Sequence, residues 1–150
     1  MRLFRMISRS SFLFFAEGTP VPQGSKRAFL RGGRISIVEA NPKTREFRSV
    51  VSLACKRMML EVGSAGGFDG PFAVELVFVF PKPKSVKRVW HTVKPDVDKL
   101  SRLVLDSVSD AGFWLGDQQV VSLSARKRYS EYEGEPSGVW VELRHAETES

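Results

Sequence analysis

The chain has 150 residues, 42% of them hydrophobic and 27% charged, which suits one domain with a real core. A net charge of +6 and a pI of about 9.8 favour an anionic partner, of which nucleic acid is the commonest. One cysteine excludes a disulfide within the chain and fits a reducing compartment, and no apolar run approaches the length of a membrane span.

Residues 1–10 read as a basic leader. Arg2, Arg5 and Arg9 precede the patch "FLFFA", which is too short for the apolar region of a signal peptide and is followed by no small-x-small cleavage site. "SFLFFAEG" (11–18) reads as a buried strand and "TPVPQGSKR" (19–27) as a Pro/Gly loop ending in Lys26 and Arg27. "AFLRGGRISIV" (28–38) is a hairpin pattern turning at Gly32-Gly33. Asn41 and Pro42 announce a helix as N-cap and first residue. Phe47, Val51, Ala54, Met58 and Val62 then recur at helical spacing, which predicts a helix over about 42–62, with Cys55 in its core stripe. The other face carries Lys43, Arg45, Arg48, Lys56 and Arg57.

"GSAGGFDGP" (63–71) reads as a flexible link and "FAVELVFVF" (72–80) as a central strand. "PKPKSVKRVWHTVKP" (81–95) is a basic loop holding Trp90. Pro95 and Asp96 open a second helix, near 96–109, with Leu100, Leu103, Val104 and Val108 as its buried stripe. In "QQVVSLSARKRYS" (118–130) Val121, Leu123 and Ala125 alternate with Ser122, Ser124, Arg126 and Arg128, as in a half-buried strand. "SGVWVELRH" (137–145) is a last strand, and 146–150 a tail. The pattern predicts a single α+β domain spanning 11–145, a mixed sheet with two principal helices packed on it.

Acids concentrate in "KPDVDKLSRLVLDSVSDAGFWLGDQQVV" (94–121). Asp96 and Asp98 read two ways. As structural residues they cap the helix and favour its dipole, and Asp98, Arg102 and Asp106 form an ion-pair ladder stepping by four. As ligands, they bind a divalent cation together with Asp117. Capping needs one acid, not two, and Asp117 stands at a turn-to-strand junction where no cap is needed. The acids also follow a loop rich in Lys82, Lys84, Lys87, Arg88 and Lys94. Carboxylates beside a DNA-facing surface repel phosphate unless a cation mediates, and Mg²⁺ takes one or two carboxylates with a substrate phosphate. Asp106 lies two turns beyond Asp98, out of reach of an ion held at the helix start, and is read as structural, like Asp110.

At these residues the chain resembles the RusA-type crossover-junction endodeoxyribonucleases, Holliday-junction resolvases of bacteria and their phages. The motifs are "KPDVDKLSRLVLDSV", "GDQQVV" and "ARKRY", with "GTPVPQGSKR" similar to the family's N-terminal signature; the resemblance covers most of the chain, from about Phe12 to Arg144. The resemblance implies a metal-dependent DNA endonuclease that resolves four-way junctions by paired nicks as a homodimer, in recombination and repair, leaving a 5′-phosphate and a 3′-hydroxyl. It implies Asp96, Asp98 and Asp117 as ligands of Mg²⁺, with Mn²⁺ as substitute, no small-molecule cofactor, no membrane and a cytoplasmic setting. The family's important lysine falls on Arg102, which cannot exchange a proton near neutral pH, so its role would be to hold the phosphate or stabilise its charge. Gly116 stands where the first of two adjacent acids usually does. Candidate DNA contacts are Lys26, Arg27, Lys84, Lys87, Lys94, Lys99, Arg126 and Lys127, acting through phosphates. The alternatives are a non-catalytic nucleic-acid-binding protein whose acids only cap a helix, and a resolvase that binds junctions without cutting.

Overall fold

A computed structural model describes residues 4–8, 11–24, 26–39 and 41–146. Seven strands and two helices follow in the order β1 (Phe4–Ser8), β2 (Ser11–Glu17), β3 (Lys26–Arg31), β4 (Arg34–Glu39), α1 (Pro42–Glu61), β5 (Phe72–Phe80), α2 (Val97–Asp110), β6 (Val120–Tyr129) and β7 (Gly138–His145). The expected α+β architecture is present. Five strands form one sheet in the order β1-β2-β7-β5-β6, and β3 and β4 form a separate hairpin. Among the described strands only β5 and β6 pair in parallel, and α2 lies on the crossover between them, as a parallel connection requires. β1, which pairs antiparallel with β2, falls within the stretch read as a leader.

Alternation along the strands fixes what each face of the sheet meets. Phe12, Phe14 and Ala16 of β2 register with Leu143, Val141 and Val139 of β7, which register in turn with Val74, Leu76 and Phe78 of β5. All nine are buried, and both helices pack over this face. In α1, Asn41 caps as expected, accepting from the Lys43 N–H at 3.0 Å. Its buried stripe is Phe47, Val51, Cys55, Met58 and Met59, while Ala54 and Val62 are half-buried. Burial pushes the Cys55 thiol up to about 12, so it is an inert core residue. The α2 stripe of Leu100, Leu103, Val104 and Val108 is completely buried, each side chain contributing about 1.5–3 kcal/mol. Arg48 of α1 straps the two helices together, making two hydrogen bonds to Asp110 and an ion pair to Asp106 at 3.8 Å. Asp106 and Asp110 thus have the structural part expected of them.

Three local expectations change. The hairpin does turn at Gly32-Gly33, both with positive φ, but its strands begin earlier, at Lys26. The link 63–71 is pinned rather than loose: Gly67 N–H donates to Gly112 O and Phe68 N–H to Phe113 O, both at 2.9 Å. Gly66 is what allows this, since a Cβ there would come within 2.4 Å of the Gly112 carbonyl. In β6 the pairing slips between Val120 and Ser122, so Val121 is an extra residue and is 65% exposed instead of sharing a face with Leu123 and Ala125.

Both histidines pack on aromatic rings, His91 on Phe80 at 4.1 Å and His145 on Phe72 at 4.2 Å. His91 is buried with its Nδ1 unpartnered. Burial, then the charges of Lys127 and Arg88, hold its pKa below the ordinary value. The unfolded chain therefore takes up a proton near pH 6.5 that the folded chain refuses. Unfolding free energy is expected to fall as pH drops from 7.5 towards 5.5. In His91→Phe, which keeps the stack and removes the titration, the fall should be shallower. Parallel pH curves for the two proteins in urea melts would show that His91 titrates normally.

Candidate active site

The start of α2 presents its acids without using them as caps. Asp96 occupies the N-cap position, but its side chain makes no capping hydrogen bond; only its carbonyl takes part, accepting from the Leu100 N–H at 3.1 Å. Its carboxylate lies 3.9 Å from Lys99 Nζ, an exposed pairing worth little. Asp98, in the first turn, and Asp117, at the head of a 3₁₀ turn (Asp117–Gln119), are exposed; among the described residues neither accepts a hydrogen bond or joins an ion pair. The ladder through Asp98, Arg102 and Asp106 does not form, because Asp106 turns to Arg48.

Two cavities meet along α2. One, of about 390 Å³, is lined by Asp98, Ser101, Arg102, Leu105, Asp117 and Leu123, so two carboxylates distant in sequence face one space. The other, also about 390 Å³, is lined by Asp96, Lys94, Lys99, Arg102 and the Pro22–Gly24 segment. Arg102 belongs to both. The Pro22–Gly24 segment is held there by Gln23 N–H donating to Lys99 O at 3.1 Å and by Thr44 Oγ1 donating to Pro22 O at 3.1 Å. The structure therefore brings Asp98 and Asp117 together, and sets Asp96 in the adjoining cavity among cations. No group of three or more His, Cys, Asp or Glu side chains converges among the described residues.

The field of Asp117 extends further along the helix. Asp106 has its pKa raised, first by burial and then by the charges of Asp117 and Asp110, with Arg48 and Arg102 opposing. Asp106 stands about 12 Å along the helix from Asp98, at a rise of roughly 1.5 Å per residue.

Two residues position these acids, and neither was anticipated in that part. Gln119 uses its whole amide: Oε1 accepts from Leu115 N–H at 2.7 Å and Gly116 N–H at 2.9 Å, while Nε2 donates to Phe68 O and Gly70 O, both at 2.9 Å. It thereby joins the turn bearing Asp117 to the pinned link 63–71. Lys127, anticipated as a phosphate contact, donates to Val93 O at 2.7 Å and Pro95 O at 2.8 Å, buttressing the loop that leads into Asp96. The remaining expected DNA contacts divide by place. Lys84 and Lys87 are exposed on the 81–95 loop, Lys94 and Lys99 line the Asp96 cavity, and Arg126 lies exposed on the opposite face of β6 from Leu123 and Ala125. Lys26 and Arg27 begin β3, and their side chains lie outside the described residues.

Gly116, where the resemblance leads one to expect a further acid, has extended backbone, with φ of −179°. The atoms nearest a Cβ placed there all belong to the Gln118 amide, the closest 2.0 Å away.

The donor set suits a hard divalent ion. Two unengaged carboxylates face a space large enough for an ion with several waters, the form in which Mg²⁺ is usually held beside a substrate phosphate. The cations Lys94, Lys99 and Arg102 beside it suit that phosphate. No helix among the described residues is long and apolar enough to cross a membrane. A family model described as "Endodeoxyribonuclease RusA" matches residues 17–144, most of the chain. No curated protein matches it.

Proposed function

The chain belongs to the RusA endodeoxyribonuclease family, whose members are nucleases of the Holliday-junction-resolving type, and on that premise we propose that it is a Mg²⁺-dependent nuclease cutting four-way DNA junctions as a homodimer. The observation that carries this reading is the meeting of Asp98 and Asp117, both unengaged, in one cavity with Arg102.

Asp98 and Asp117 would hold the ion, while Asp96, which the resemblance gives as the third carboxylate, lines the adjoining cavity. When bound, Mg²⁺ supplies charge neutralisation at the phosphoryl oxygens and a water more acidic than bulk. The protein's own groups do the rest. Lys94 and Lys99 draw the phosphate toward the helix start. Arg102, lining both cavities, spans from the bound phosphate to the carboxylates and stabilises charge as it builds on the non-bridging oxygens. Its guanidinium stays protonated throughout, so it acts by electrostatics and not by proton transfer. Gln119 and Lys127 keep the acids aimed.

A four-way junction has approximate two-fold symmetry, and two equivalent cuts need two equivalent sites. An isologous dimer supplies them. Binding through lysines and arginines to phosphates should weaken steeply with salt.

Incubation with a synthetic mobile junction is expected to give paired, symmetry-related nicks in Mg²⁺ and none in EDTA. Cut positions mapped on all four strands would show this. Junction binding with no nick in either Mg²⁺ or Mn²⁺ would favour the non-catalytic alternative. Sedimentation should give a dimer.

A further inference from the structure

Beyond the carboxylate cavities, the molecule holds a third space whose residues serve no part of the mechanism above. It has a volume of about 360 Å³ and is lined by Lys82, Val89, Trp90, Arg126, Arg128 and Tyr129, together with Ser130 and Glu131, whose carboxylate lies 3.9 Å from Arg128 Nε. It lies where β5 and β6 end, outside the carboxyl ends of the parallel pair, which is the usual place for ligands in such sheets. Resting on the nuclease reading, we propose that this is a nucleotide pocket that takes an unpaired base and its phosphate from branched DNA.

The chemistry of the lining selects that ligand. Trp90 is 62% exposed and Val89 76% exposed, side by side on a loop that also carries Lys82, Lys84, Lys87 and Arg88. At 62% exposed, the Trp90 ring is not packed beneath its own loop. An indole presented among cations offers a stacking surface for a base whose own faces are bare, and every base has such a face. A base inside a duplex has both faces covered by its neighbours and gains nothing here.

The cations sort into those already engaged and those available. Arg128 is taken up by Glu135 through two bonds of 2.8 Å, and Arg88 donates to the Tyr129 hydroxyl at 2.7 Å. These fix the pocket wall. Among the described residues Arg126 makes no hydrogen bond or ion pair, and Lys82 only approaches the Tyr129 ring, its Nζ 6.0 Å from the centroid. Arg126 and Lys82 are therefore the groups that meet the phosphate. The volume falls in the range of sites that enclose a small ligand.

Position makes the pocket useful. Arg126 and Arg128 project from the opposite face of β6 to Leu123 and Ala125, which line the Asp98–Asp117 cavity. The 81–95 loop that carries Trp90 runs directly into Asp96, and Lys127 ties its end down. A strand crossing the edge of β6 would leave one unpaired nucleotide in this pocket while a neighbouring phosphate reaches the acids. Selectivity for branch points then comes from demanding an unpaired base, without reading its identity.

The test uses binding without cleavage. In EDTA, a short oligothymidylate should quench the tryptophan fluorescence of the intact protein, because Trp90 is 62% exposed while Trp114 is 3% exposed and Trp140 is half-buried against Phe15. Trp90→Ala should remove most of that quenching, leaving only what half-buried Trp140 contributes, and weaken single-strand binding about tenfold, measured by anisotropy. Trp90→Phe, which can still stack, should keep most of the affinity. Arg126→Ala should weaken binding of the single strand and of the junction alike. Duplex binding should be nearly unchanged in both Trp90 variants. Affinity for the oligonucleotide unchanged in Trp90→Ala, or an equal loss for duplex and single strand, would overturn the proposal. Asp98→Asn should quench like the parent, so failure of the nuclease reading shows in cleavage and failure of the pocket shows here.

Discussion

Asp98→Asn and Asp117→Asn are each expected to lower Mg²⁺-dependent nicking of a four-way junction by about a thousandfold, with junction binding in EDTA equal or tighter. Asparagine keeps the shape and removes the charge. The lost electrostatic stabilisation is several kcal/mol, and about 4 kcal/mol corresponds to three powers of ten. Stability should change little, since neither carboxylate has a partner among the described residues. Removing a negative charge from a surface that must approach phosphate also favours binding. Asp106→Asn is the contrast: it loses the ion pair to Arg48 and should shift the melting midpoint more than turnover. Single-turnover rates on a labelled junction decide the matter. A rate within tenfold of the parent for Asp98→Asn or Asp117→Asn would remove that residue from the mechanism.

Gln119→Leu is expected to cost about 2 kcal/mol of stability and, separately, to raise the Mg²⁺ concentration needed for half-maximal nicking. Four backbone groups lose their partner at once: Leu115 N–H, Gly116 N–H, Phe68 O and Gly70 O. Each is partly open to water, so the total stays well below the full penalty for four buried orphans. The second effect separates aiming from mere support. If Gln119 only held the fold, a temperature at which the variant is fully folded would restore an unchanged Mg²⁺ curve. A displaced curve at that temperature means that Asp117 has lost its setting. Denaturant melts and Mg²⁺ titrations of nicking on the same preparations give both numbers.

Much of this architecture could be read from the chain because its signals are local. The α2 stripe repeats at helical spacing, and the same apolar side chains are the buried ones. Asn41-Pro42 and Gly32-Gly33 act through their own backbone conformations, so cap and turn fall where expected. The features that were missed depend on partners far along the chain. Nothing in "GSAGGFDGP" shows that Gly66 will rest on Gly112, so a glycine-rich link reads as loose when it is docked. The slip at Val121 is a property of the β5–β6 pairing and leaves the alternation in the sequence intact.

At the site, the acids were conspicuous as charges in an apolar setting, but charge says nothing about direction. Asp96 and Asp98 are two residues apart near a helix start, about 200° around the axis, so they line different cavities. Lys127 was counted among the surface cations because a lysine in a basic strand usually is one; two carbonyls across the fold claim it instead. Gln119 did carry a signal. An amide two residues after a candidate acid and directly before Val120-Val121 is a polar group entering a strand, and it needs partners.

The extended backbone at Gly116 leaves that position open to any amino acid, and what stands over it is the end of one pliable side chain. Swinging Gln118 aside would make room for a second carboxylate next to Asp117 with no change in the path of the main chain. The acidity of this corner is thus a variable set separately from the scaffold. On the proposed metal-binding reading, one codon changes the charge offered to the ion while every strand and helix stays where it is.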